Sequence, residues 1–292
     1  MRAMYLMQPY DDALQEILDR GVEKSSQRTG IKTLSIFGMC KRYRLDTSFF
    51  PIVTKRKIWP KAVFSELLWY LEGSTSNERL KELGCKFWTP WVDHDWEKEH
   101  HYVENVFGPV YGFNLRHFGG NYNKGIHGNY GYGFGGFDQL AYVINEIKTD
   151  PSSRRIIWNL WNPAEINNMR LPPCHMQFQI LIDDERRMTG IMYQRSCDFP
   201  VGVPANIQFY SAVTCMLAQQ TDCIPYEFVH MTADSHIYFN QIDVVKEYLS
   251  LPVIDSPKLE IRKAEDIYSY TPDDFVLTEF NPGPKLDILV AV

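Results

Sequence analysis

The sequence predicts an α+β fold, in which long strands and helices are segregated along the chain and do not alternate as a regular βαβ repeat. Three observations lead there. Strand-like runs crowd the second half (RRIIWNLW, HMQFQILID, MTGIMYQRS), and a long apolar helix follows them at about 207–220. Helical spacing otherwise sits at 10–24, at 61–72 and in FDQLAYVINEIKTD, which Pro151 ends. No repeat and no linker divides the chain, so 1–292 reads as a single domain.

Each element has a local cause. In YDDALQEILDRGVEK, Ala13, Ile17 and Leu18 fall at helical intervals, with acids early and a glycine near the end. TLSIFG and MCKRYRL (33–45) alternate apolar and polar residues as a half-buried strand does, before Pro51. KAVFSELLWYLE is apolar on most faces and predicts a helix buried nearly all round, with Glu66 inside it. That carboxyl is either a core acid with a partner or part of a narrow polar stripe. GGNYNKGIHGNYGYGFGG (119–136) is too rich in Gly, Asn and Tyr for a regular element, so it reads as a surface-loop insertion. A Gly/Tyr run could also stack on bases, but this one lacks arginine.

Composition bounds the function. With 45% hydrophobic and 23% charged side chains, the 292 residues can bury a substantial core. The 14% aromatic content serves cores and flat-ligand pockets alike. A net charge of −6 and a pI near 5.8 argue against a broad grip on a nucleic-acid polymer. A few converging arginines can still hold one phosphate. The six cysteines (Cys40, Cys85, Cys174, Cys197, Cys215, Cys223) form no CxxC pair and show neither disulfide nor zinc spacing, so free thiols and no metal are expected. The N-terminus offers no apolar signal core and no run reaches the length of a membrane span, so the protein reads as cytoplasmic.

Several short segments carry chemistry. In LPPCHMQ, Cys174 follows two stiff prolines and precedes His175, which can influence thiol ionisation; a buried apolar cysteine is the plainer alternative. YQRSCDFPVGVPANIQFY gathers Arg195, Ser196, Asp198 and Asn206 as a ligand-holding loop would, or as a helix cap with surface charge. DSHIYFN sets His236 and Tyr238 two apart, hence on one face of a strand, where a structural histidine is the alternative. Arg28, Arg154 and Arg155 lie in turn-like contexts that could converge on one anion or face water.

Taken in order, QRTGIKTLSIFG, TKRKIWPKAVFSELLWYLEGST, FWTPWVD, GPVYGFNLRHFGG, DPSSRRIIWNLWNPAEI, LPPCH, YQRSCD, GVPANI, DSHIYFNQ and the terminal VAV resemble the thymidylate synthase family across nearly the whole chain. The resemblance implies a large mixed sheet packed against helices, with one sheet face forming a homodimer interface. It implies that Cys174 attacks carbon 6 of the uracil of dUMP, and that 5,10-methylenetetrahydrofolate is the co-substrate. By the same resemblance Arg28, Gln194, Arg195, Ser196 and Asp198 hold dUMP, and Arg154 and Arg155 reach the partner's phosphate site. Asn206 would read the uracil edge, and His236 and Tyr238 the sugar hydroxyl. Glu66 and Tyr111 would assist proton transfer, and Lys55, Trp88, Trp91, Asp198, Gly202 and the Val292 carboxylate would face the folate.

The resemblance, with Trp88 and the terminal VAV retained, implies reductive methylation of dUMP to dTMP; the chain departs from the family pattern at Phe199, Pro200, Ala205 and Gly283, and the alternative is that a looser folate pocket there admits water and gives a hydroxymethyl product. Two other classes stay open at this point. Cys174, His236 and Asn240 supply the residue types of a cysteine hydrolase, and the Gly/Tyr segment those of an RNA-binding module.

Overall fold

The computed structural model describes residues 4–25, 29–122 and 133–290. Helix α1 (Gln8–Arg20) leads into β1 (Val22–Lys24) and the long β2 (Thr33–Arg44). Helices α2 (Pro60–Leu71), α3 (Asn77–Glu82), α4 (His94–Glu99) and α5 (Tyr111–Arg116) follow, then the short strands β3 (Asn121–Tyr122) and β4 (Gly133–Phe134). The second half holds α6 (Gln139–Thr149), β5 (Ile157–Asn159), β6 (His175–Ile182), β7 (Arg187–Asp198), α7 (Gly202–Gln220) and β8 (Ile224–Tyr238). Helix α8 (Ile242–Ser250) and strands β9 (Lys258–Ile261) and β10 (Phe275–Thr278) complete the chain.

Six strands form one mixed sheet in the order β1-β2-β8-β7-β6-β5. Its pairs are antiparallel except β7 with β8, which run parallel because α7 crosses over between them. The fold is therefore α+β with a single embedded βαβ unit. Helix α7 lies close against the sheet at Gly190, where an added Cβ would come within 2.4 Å of Thr214 Oγ1 and 2.7 Å of the Phe178 ring. Only glycine leaves room for the helix there.

Several element boundaries differ from expectation for identifiable reasons. The first helix stops at Gly21, whose N–H still bonds the Ile17 carbonyl, and Val22–Lys24 turn extended to pair with β2. Helix α7 begins at Gly202, so Asn206 lies inside it and caps nothing. Gln194 to Asp198 belong to β7 and not to a loop. The ends of the Gly/Tyr segment carry β3 and β4, paired at Asn121 with Phe134, so that part is a ladder; 123–132 lie outside the described residues.

Buried side chains from α1, α2, α7 and the inner sheet face form one cluster, with Trp69, Phe64, Tyr210, Phe178 and Phe228 essentially inaccessible. Within it sits a charged pair. Lys55 is 3% exposed and its Nζ donates to Asp11 Oδ2 at 3.2 Å, while Tyr248 Oη donates to Asp11 Oδ1 and Tyr5 Oη to Asp11 Oδ2, both at 2.8 Å. The ammonium also lies 4.9 Å from the centre of the Tyr248 ring and donates to the Leu249 carbonyl. Four elements of the protein's periphery are tied here by fully partnered polar groups. Lys55→Met should cost about 3–5 kcal/mol, because it leaves Asp11 charged and buried without its cation. Urea denaturation of the variant measures this, and a loss below about 1 kcal/mol would contradict the assignment.

Candidate active site

Cys174 lies just ahead of β6, half-exposed, and its backbone is held from two sides. Its N–H donates to Tyr111 Oη at 2.7 Å, and its carbonyl accepts from the Arg195 N–H at 2.9 Å. The Arg195 guanidinium then spans the preceding prolines, with Nε donating to the Pro173 carbonyl and an Nη to the Pro172 carbonyl, both at 2.9 Å. Its other face covers the Trp161 ring at 5.3 Å. Prolines have no N–H to spend on a ladder, so their carbonyls are the groups available to anchor the loop. The expected influence of His175 on the thiol takes a different form. His175 points to the inner face among Tyr111, Phe209 and Tyr210, and burial pushes its pKa down to about 4, so at neutral pH it brings no positive charge to Cys174.

A one-way chain of hydrogen bonds runs beside it. Gln194 Nε2 donates at 3.0 Å to the Ser196 carbonyl, which can only accept, and this fixes which end of the amide is which. The same Nε2 donates to Asn206 Oδ1 at 3.0 Å, and His175 is a further hydrogen-bond neighbour of the Asn206 side chain. Gln194 Oε1 faces His230 Nε2 at 2.9 Å, and therefore His230 carries its proton on Nε2. His230 is fully buried, which pushes its pKa down to about 3 and keeps it neutral. Sequence reading missed His230, since nothing in FVHMT marks it apart from a core histidine.

The facing wall is aromatic with one acid in it. Trp88 Nε1 donates to Glu66 Oε1 at 2.6 Å, and the Trp88 ring meets Phe107, Trp69, Tyr111 and, at 6.5 Å, Trp91. Glu66 itself is half-buried. Burial pushes its pKa up to about 7, partly opposed by the Trp88 donor. Tyr70 stacks on Tyr111 at 4.8 Å and lies within electrostatic reach of both Glu66 and Cys174.

At the end of β7, burial pushes Asp198 up to about 6, against the pull of His236, the Gln241 amide and the Val201 N–H. Gly202 follows at the start of α7, 3.7 Å from Asn206 Oδ1 if it bore a Cβ. His236 and Tyr238 share one face of β8, their rings 5.1 Å apart edge to face, with His236 Nδ1 3.2 Å from Asp234 Oδ1. Arg154 and Arg155 stand exposed in the turn before the edge strand β5.

Not every expected residue converges here. Lys55 is committed to Asp11 inside the core and is not free to meet a ligand's tail; the adjacent Lys57 is the exposed basic residue of that segment. Arg28 and Val292 lie outside the described residues. The departures at Phe199, Pro200 and Gly283 leave no slack. Phe199 is buried and stacked on Tyr10, the Pro200 carbonyl accepts from Arg56, and an added Cβ on Gly283 would sit 2.2 Å from the Lys55 carbonyl. Chain packing fills these three places, while Ala205 is half-buried on α7.

Trp88→Phe keeps a ring in this wall and removes the donor to Glu66, so the Glu66 carboxyl should titrate above about 7. Carbon-13 NMR titration of that carboxyl checks the sign, and a lower value would refute it.

Residues 8–292 match the family described as "Thymidylate synthase". A thymidylate synthase of Human herpesvirus 8 type P is 42% identical over 287 residues, 96% of this chain and 82% of the relative. The thymidylate synthase of Saccharomyces cerevisiae is 37% identical, covering 97% of this chain and 96% of the relative. A bifunctional dihydrofolate reductase-thymidylate synthase of Paramecium tetraurelia is 37% identical over 97% of this chain, which spans 61% of that longer protein. Matched end to end by proteins of that name, and with a thiol, an amide chain and a desolvated acid gathered at one cleft, the chain belongs to the thymidylate synthase family.

Proposed function

We propose that the protein is a methyltransferase that converts dUMP to dTMP, with 5,10-methylenetetrahydrofolate supplying both the one-carbon unit and the hydride. The observation that carries this reading is the joining of residues from α2, α5, β7 and α7 around one half-exposed cysteine. Cys174 adds to carbon 6 of the uracil and makes carbon 5 nucleophilic. Asn206, its Oδ1 already held by Gln194, offers a donor to a ring carbonyl and an acceptor to the adjacent ring N–H, the pattern of uracil and the inverse of cytosine. Arg195 and Ser196, with Arg28, take the phosphate, and His236 and Tyr238 the sugar.

Glu66 holds or releases a proton near neutral pH because of its burial, which suits a group that relays protons to the ring carbonyl. The aromatic wall of Trp88, Trp91 and Tyr111 fits a flat pterin, and the Asp198 carboxylate fits its amino edge. The protein acts as a single catalytic domain and a homodimer. Leu181, Tyr193 and Met231 are exposed on the sheet face turned away from α7, and the exposed Arg154 and Arg155 are placed to reach a neighbouring copy's phosphate site. Unpaired cysteines fit a reducing, cytoplasmic setting. Among the described residues no helix is long and apolar enough to cross a membrane.

A hydroxymethyl product is disfavoured, because the relatives bear the synthase name and Phe199 and Gly283 leave no spare room in the chain packing. Incubation with dUMP and methylenetetrahydrofolate should give dTMP and dihydrofolate; a hydroxymethylated nucleotide with tetrahydrofolate would overturn the reading. Cys174→Ser should bind dUMP but lose turnover by more than about a thousand-fold, since an alkoxide is far harder to form than a thiolate. A fluorinated uracil nucleotide with folate should form an adduct at Cys174 in the unmodified protein. Asn206→Asp should reduce the preference for dUMP over dCMP by about 1–3 kcal/mol, read from the ratio of their kcat/KM values.

A further inference from the structure

Gln241 ends the single turn Phe239–Gln241 after β8, and its side chain is fully buried. Its amide is used completely. Oε1 accepts from the Tyr238 N–H at 3.0 Å, and Nε2 donates to the Leu289 carbonyl at 2.8 Å and to both carboxylate oxygens of Asp198 at 3.3 Å. The amide's direction follows from its partners, since a backbone N–H can only donate and a carbonyl or carboxylate can only accept. Leu289 is 60% exposed, so burial of its own side chain does little to hold the carboxyl-terminal segment here.

We propose that Gln241 is a positioning residue that fastens the carboxyl-terminal segment to Asp198, so that docking of that segment and aiming of the carboxylate are one event. The proposal rests on the reading of Asp198 as the cofactor's carboxylate. One amide hydrogen holds the Leu289 backbone, the other is shared across the carboxylate, and the amide oxygen is pinned by the residue that ends β8. Displacing the segment frees the amide to turn, and the carboxylate loses its donor. The other groups facing Asp198 are His236 from β8, the Val201 N–H, and Tyr10 of α1 with Arg56 behind it. None of them touches the segment through the same atom.

The test uses the full chain with dUMP and methylenetetrahydrofolate. Gln241→Leu removes donors and acceptor at similar size; it should raise KM for the folate roughly ten-fold, the loss of one hydrogen bond to a charged group, and leave KM for dUMP within about two-fold. Because the Gln241 amide helps hold Asp198 down, the acid limb of kcat/KM for the folate should also move to higher pH from near 6. Gln241→Asn keeps a buried amide but withdraws it by one methylene, and should shift both quantities in the same directions should Gln241→Leu fail to fold. Unchanged folate KM and acid limb, or equal rises in both KM values, would overturn the proposal. Asp198→Asn separates the two levels: no effect on folate KM sinks the cofactor reading itself, whereas a large effect beside silent Gln241 variants sinks only the link.

Discussion

The site depends on one guanidinium. Arg195 sits on β7, a strand whose register is set by β6 on one side and β8 on the other, and it reaches back to both proline carbonyls before Cys174. The loop that carries Cys174 is therefore referenced to the sheet through β7. Charge-assisted hydrogen bonds of this kind are about twice as strong as neutral ones, and two from one planar group also fix orientation. Among the described residues, no carboxylate forms an ion pair with that guanidinium. Loosening this contact would free the Cys174 loop and the Arg195 side chain together.

Around that clamp the protein keeps its inner polar groups neutral or finds each a partner. His175 and His230 are both buried and uncharged, and Gln194, Asn206 and Gln241 carry hydrogen bonds in directions their partners dictate. Glu66 and Asp198 have their donors too, yet burial raises the pKa of each acid toward neutrality. Groups poised this way cost stability and return reactivity, which is the usual economy of catalytic clefts. The Asp11 and Lys55 pair shows the opposite use of burial, with every valence satisfied and nothing left over for chemistry.

Much of this was legible in the residues. Alternation in TLSIFGMCKRYR and the strand-like run HMQFQILI announced β2 and β6, and a glutamate within KAVFSELLWYLE announced an acid set inside an apolar helix. Legibility failed where a property depends on which neighbours a fold supplies. Lys55 looks like any surface lysine until α1 and α8 close over it. His175 and Cys174 are adjacent in sequence, yet strand alternation sends them to different surroundings. Gly283 suggested spare room, but the passing Lys55 backbone occupies it. The parallel pairing of β7 with β8 is likewise invisible to periodicity, which reports burial and not strand direction.

The central strand has one more consequence, for how the chain is made. Thr33 of β2 pairs with Tyr238 of β8, so the partner of an early strand is synthesised only when most of the polypeptide has left the ribosome. Until then the edge of β2 that β8 will pair is open, and the nascent chain is at its most exposed to off-pathway association. Contacts so distant in sequence make for slow acquisition of the native topology, with α7 and β8 arriving late to complete it. Biogenesis of this protein is thereby a problem of waiting, and its yield in a cell should track how well that interval is chaperoned.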